Sequence, residues 1–153
     1  MKEFDYELDY KRLDFTDQEN RKLYRIGRGE QGVLLVRPYT DDICRFWRFK
    51  TPKIAKKSAA KIYEMYLIYR DKKDFIGMDM CRKFLEMGFT RSRRYANHRD
   101  GKKYDKEGNI IPQEKDHDTC HFATSATIFK KTRDVVAKNE TYVKMRKQWR
   151  SEE

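Results

Sequence analysis

Cysteine, histidine and proline are scarce in this chain, three of each. Cys44, Cys81 and Cys120 lie far apart and form no C-x-x-C pair, so neither a disulfide framework nor a paired-thiolate zinc site is indicated. A reducing cytoplasm suits such a chain. His117, Cys120 and His121 invite a zinc reading, because His117 and His121 would share one face of a helix. Cys120 would face elsewhere, no distant Cys/His pair completes a set of four, and no H-E-x-x-H occurs. A solvated helix start is the better reading, and no metal or cofactor is expected. Histidines this few and isolated leave no visible nucleophile–base pair, so no catalytic residue is assigned. No apolar run approaches the ~20 residues that span a bilayer. Met1-Lys2-Glu3-Phe4-Asp5 is not a secretory signal, and no membrane partner is expected. There is no internal repeat and no low-complexity tract.

Charge is abundant. Charged residues make up 40% of the 153, against 38% hydrophobic, and the net charge is +11. One domain, 1–153, is expected, long enough for a core but a lean one. Aromatic residues at 14% argue against disorder. The basic surplus favours a polyanionic partner, nucleic acid first.

The central part, 51–99, carries the clearest pattern. Thr51-Pro52 reads as a helix start, a hydroxyl cap before proline at the first helical position. Ala55, Ala59, Ile62, Tyr66 and Tyr69 then recur at helical spacing, predicting a helix near 52–72. Lys53, Lys57 and Lys61 follow one another along its other face. Asp74 is expected to cap a second helix near 75–87, with Ile76, Met80, Cys81, Phe84 and Met87 inward and Gly88 as its stop. Asp79 with Lys83, and Arg82 with Glu86, read as ordinary pairs four apart. Cys81 reads as a buried, inert thiol.

Thr90 is expected to cap a third, shorter helix. Arg91, Arg93 and Arg94 would then crowd its first turn, where the helix dipole favours anions and each cation costs roughly 0.3–1 kcal/mol. Free N–H groups beside arginine forks make a phosphate site. Arg99, Lys102 and Lys103 extend that surface, and Lys53, Lys57 and Lys61 lengthen the track. The alternative is internal pairing with the chain's own carboxylates, such as the acidic N-terminal residues.

The first part, 1–50, reads as strand-rich. Phe4, Tyr6, Leu8 and Tyr10 alternate with Glu3, Asp5, Glu7 and Asp9, which predicts a half-buried strand over 4–10. Thr16-Asp17-Gln18-Glu19 reads as a capping box for a short helix running toward Tyr24 and stopping at Gly27. Val33-Leu34-Leu35-Val36 predicts a buried strand over 32–37, ended by Pro38. Between them Gly27-Arg28-Gly29-Glu30-Gln31-Gly32 matches G-x-G-x-x-G. A dinucleotide site needs a helix after it, and a kinase needs H-R-D and D-F-G, so a glycine-rich turn is the stronger reading. Arg28 beside those glycines remains a candidate phosphate contact. Cys44 to Lys50 interleaves aromatic and basic residues, either a base-stacking surface or core; core is favoured.

Residues 100–118 read as a polar surface loop. A long helix is expected from about Thr119 to Lys138, with Phe122, Ala126, Phe129 and Val136 inward. Asn139 restarts a last helix through Arg150, with Tyr142, Met145 and Trp149 inward. Lys144, Arg146, Lys147 and Arg150 form a second basic area on it. The expected fold is therefore α+β: a small N-terminal antiparallel sheet packed against a predominantly helical C-terminal two-thirds.

The stretches RIGRGEQGVLLVRPY, WRFKTP and GMDMCRKFLEMGFTRSRRYANHRDGKKY, read together, resemble a family of uncharacterised proteins of about 150 residues found in bacteria and tailed phages. The resemblance runs from Phe4 to about Tyr104. It implies an intracellular stand-alone protein, in a host cytoplasm if phage-encoded, and supplies no activity and no site residues. The residues themselves point first to a nucleic-acid-binding accessory protein of weak sequence preference. A module docking an acidic protein, in a phage–host or phage-assembly setting, is the second reading. An enzyme or binder of a phosphorylated small molecule, using Arg28, the glycine turn and the arginines, is the third.

Overall fold

Side-chain caps mark where four of the six α-helices of the described residues begin. The computed structural model describes residues 2–153 and contains, in order, α1 (Gln18–Arg21), α2 (Tyr39–Cys44), α3 (Pro52–Asp71), α4 (Phe75–Asn97), α5 (His121–Lys138) and α6 (Glu140–Ser151). Thr51 Oγ1 accepts from Ile54 N–H at 3.2 Å and Pro52 sits at the start of α3, as its sequence signals require. Asp74 accepts from Gly77 N–H at 3.3 Å to cap α4. The same carboxylate takes a 2.8 Å bond from Arg21 and a 2.6 Å bond from the Tyr39 hydroxyl, so one cap ties α1 and α2 to α4. Asn139 caps α6 through Tyr142 N–H and accepts from Tyr66 Oη at 2.9 Å, tying α6 to α3.

α3, α4 and α5 pack on one another, and α2 and α6 both pack against α4, reaching Asp74, Phe75 and Asp79 in its N-terminal part. The faces expected from helical spacing are the ones buried: Ala55, Ala59, Ile62 and Tyr66 on α3, and Ala126, Phe129 and Val136 on α5. Each large apolar side chain removed from water stabilises the fold by ~1.5–3 kcal/mol. α4 is the central element, buried from Phe75 to Leu85 apart from Arg82.

The expected sheet does not exist; among the described residues the sole β pairing is an isolated bridge between Tyr104 and Ile110. At 4–10 the alternation is broken. Phe4 and Tyr10 are buried and stack at 5.3 Å, but Tyr6 is 57% exposed, because the chain turns instead of running straight. At 33–36 burial recurs every third residue, Val33 and Val36 inward and Leu34 out, which is a turn period. Gly29 and Gly32, both at positive φ, curl the chain. Thr40 Oγ1 then donates to Val33 O and accepts from Val36 N–H, satisfying groups that a neighbouring strand would otherwise take. The protein is helical, not α+β.

Two helix boundaries also differ from expectation. Asp17, not Thr16, caps α1, which ends at Arg21. α4 does not stop at Gly88. A Cβ there would lie 2.4 Å from the Phe129 ring, so this glycine serves close packing of α5 on α4 within a continuous helix. The helix runs on to Asn97, and Thr90 lies inside it, its hydroxyl donating to Glu30 at 2.7 Å.

Candidate functional site

Asp79, on α4, is fully buried and gathers four partners. It accepts from Arg82 Nε at 2.8 Å, from Tyr142 Oη of α6 at 2.6 Å, and from the Tyr24 hydroxyl. Lys83 Nζ lies 4.0 Å away, itself wholly buried. Burial alone would raise the Asp79 carboxyl, but the Arg82 and Lys83 charges and the bonds from Arg82 and Tyr142 hold it down at about 2. Burial lowers the Lys83 ammonium to about 7, against the pull of Asp79. These are not surface pairs. Glu86 instead takes Arg133 of α5 at 2.6 Å.

The cations around Asp79 grip the glycine-rich loop by its carbonyls. Lys83 donates to Gln31 O at 2.7 Å and to Arg25 O at 3.3 Å, and also faces the Phe4 and Tyr24 rings. Arg82 donates to Gly29 O at 3.0 Å, and Arg150 of α6 donates to Gly27 O at 2.9 Å. The loop is thus fixed at three carbonyls, with a fourth at Arg25 just before it, by three side chains. Gly32 is required by space as well as by φ, because a Cβ there would meet the Phe4 ring at 2.1 Å.

Above this loop opens a cleft of about 630 Å³. Among the described residues five cationic side chains line it, Arg28 from the loop, Arg82 from α4, and Arg146, Lys147 and Arg150 from α6, and no carboxylate does. Ala137, Tyr142 and Val143 supply an apolar wall. The side chains of Arg82 and Arg150 are only 12% and 13% exposed, so their forks are held rather than waving in solvent. Arg28 also lines a second cleft together with Arg91, where Glu30 is the acidic residue.

The arginine cluster singled out from sequence is arranged differently from expectation. Arg91, Arg93 and Arg94 occupy the last turns of α4, where the helix dipole favours cations, so no electrostatic discomfort calls for an anion. Arg93 is clasped by the loop after α4: it donates to His117 O and to Asn97, and lies 3.3 Å from Asp118. Arg99 pairs with Asp116 at 2.7 Å. The partners come from residues 100–118, not from the N-terminus, whose Glu3 reaches Arg28 at 3.2 Å instead. Arg94, Lys102 and Lys103 are exposed. Lys57 and Lys61 line another cleft with Arg45, Phe46 and Arg48, and Lys61 also pairs with Glu64 at 3.6 Å; Lys53 is exposed on α3. The structure therefore brings Arg28 and Arg91 together and leaves the α3 lysines lining a different cleft.

Arg82 was hidden from sequence reasoning by its apparent partner Glu86. Arg146 and Arg150 carried a visible signal, four apart on one helical face, but only the fold sets them beside the glycine loop. Cys81 is buried, and burial pushes its thiol up, as its apolar surroundings require.

A family model described as a domain of unknown function (DUF4385) matches residues 5–152, nearly the whole chain. No curated protein and no solved structure matches it. No helix among the described residues is long and apolar enough to cross a membrane.

Proposed function

We infer, from the premise that the chain belongs to the DUF4385 family and from the geometry of its basic cleft, that the protein binds nucleic acid as an accessory factor. One observation carries the reading: five cations from three separate elements converge on a cleft without a carboxylate, over a loop held rigid from below. Arg28 connects this cleft to the one containing Arg91, which gives a backbone two adjoining contact points. The phosphate contacts are therefore Arg28, Arg82, Arg146, Lys147, Arg150 and Arg91. Arg93 and Arg99 line neither cleft and pair with Asp118 and Asp116. Contacts of this kind hold position without reading bases, so sequence preference is weak. A cytoplasmic setting, bacterial or in a phage-infected host, belongs to the same proposal.

The test is fluorescence anisotropy with labelled single-stranded DNA and RNA at rising salt. Binding at low salt that weakens steeply as salt rises is the expected result. Flat salt dependence, or no binding at low salt, refutes it.

A second reading rests on a different surface. Ala59, Ala60 and Tyr63 of α3 and Ile128 and Val135 of α5 line an apolar groove edged by Lys56 and Lys131. That groove suits an acidic amphipathic helix of a partner protein. A purified acidic partner that is released by Val135→Glu, in the absence of nucleic acid, would favour it; retention by that variant would reject it.

A further inference from the structure

The charges around the cleft select among phosphate groups. Three of its five cations already have a carboxylate within ion-pair distance: Arg28 with Glu3 at 3.2 Å, Arg82 with Asp79 at 2.8 Å, and Arg150 with Glu153 at 3.4 Å. Among the described residues, Arg146 and Lys147 have none. The local surplus is two positive charges. An internal phosphodiester brings one negative charge. A phosphate monoester brings about −1.5 to −2 at neutral pH, and offers more acceptor oxygens to converging donors.

The donors fit the same group. In Arg82, Nε and Nη1 are engaged by Asp79 and Gly29 O, which fixes the plane of the fork and leaves Nη2. In Arg150, Nη1 holds Lys2 O and Glu153 and Nη2 holds Gly27 O, which leaves the second Nη2 hydrogen, since the unpartnered Nε is itself buried. Such pre-set forks lose little freedom on meeting an oxyanion. Beside them stand Ala137 and Val143, an apolar wall against which a sugar or base can lie. A strand entering here has its next contacts at the Arg91 cleft, reached through Arg28.

We propose that this cleft seats a terminal phosphate monoester of a nucleic-acid strand, with Arg146 and Lys147 supplying the balancing charge and Arg82 and Arg150 the fixed donors. The proposal rests on the nucleic-acid reading above and adds to it a preference for strand ends.

The experiment compares one oligonucleotide in three forms, 5′-phosphorylated, 3′-phosphorylated and unphosphorylated, together with a nucleoside 5′-monophosphate. Binding is measured by anisotropy competition. One phosphorylated form is expected to bind about tenfold tighter than the unphosphorylated strand. That advantage is expected to vanish in Arg146→Ala/Lys147→Ala, one half-buried and one exposed position of α6, and to survive in Arg91→Ala. Equal affinity of all three strands overturns the terminal-phosphate seat and leaves nucleic-acid binding standing. Binding of the mononucleotide alone keeps the monoester seat and overturns the strand. Binding of none overturns both. An advantage that persists in the double variant removes the cleft from the proposal.

Discussion

Asp79→Asn is the most informative single change to the fold. Asparagine has nearly the shape of aspartate, so packing is preserved and charge is what is lost. Two cations then remain beside a neutral group: Arg82, with 12% of its side chain exposed, and Lys83, with none. Removing one partner of a buried ion pair costs roughly 3–5 kcal/mol, because the other charge stays behind uncompensated. The Tyr24 and Tyr142 hydroxyls also compete for one remaining amide oxygen, and leaving a buried donor unsatisfied costs roughly 1–3 kcal/mol. The two costs overlap, since Lys83 can shed its proton, so about 4 kcal/mol is the expected loss. For a domain of this size each kcal/mol moves Tm by ~2–4 °C, so thermal unfolding followed by circular dichroism should shift down by about 8–16 °C. Adding Lys83→Met to the variant should recover part of the shift. A drop below about 3 °C, or no recovery in the double variant, would refute the view that Asp79 holds two buried cations in place.

Other consequences are independent of that one. Gly88→Ala should lower stability by ~1–3 kcal/mol despite alanine's better helix propensity, because the new methyl meets Phe129; denaturant titration reads this, and a stabilised variant would contradict it. Gly32→Ala should cost more than the same change at Gly29, since both have positive φ but only Gly32 abuts Phe4; equal losses by the same titration count against the close approach. Lys83 has a folded value near 7 against ~10.4 for a free lysine, so the unfolded chain binds the extra proton between them. Stability should therefore rise from about pH 7 toward pH 9, and lose that rise in Lys83→Met; a flat wild-type profile argues against a neutralised lysine. Asp79 acts with the same sign in a lower window: its depressed value adds stability above about pH 4 that disappears as the pH falls toward 2, a loss that Asp79→Asn should lack in acid titration.

The helices were largely legible because their signals are local. Thr51-Pro52, Asp74 and Asn139 cap helices where expected, and the apolar face of α3 is buried as spaced. What failed depended on partners far along the chain. Residues 4–10 and 33–36 have the composition of strands, yet no neighbouring strand exists among the described residues; Thr40 takes over backbone bonds at Val33 and Val36, and the loop glycines curl the chain. Gly88 looked like a stop because no local rule reveals Phe129 across the interface. That error moved the arginines from a helix start to a helix end, reversing their electrostatic meaning. The cleft itself was half visible: Arg28 and the α6 cations were noted separately, and only tertiary contacts through Gly27 O and Gly29 O bring them together.

The central claim is that phosphates are held at the α6 cleft and not by Arg93 and Arg94 of α4. It is tested by the salt dependence of oligonucleotide affinity in two double variants, Arg146→Ala/Lys147→Ala and Arg93→Ala/Arg94→Ala. With ~0.7 of slope lost per contact to a single strand, the first should flatten log K against log salt by about 1.4, and the second should leave the slope unchanged. The reverse pattern, with the α4 pair carrying the salt dependence and the α6 pair silent, would contradict it.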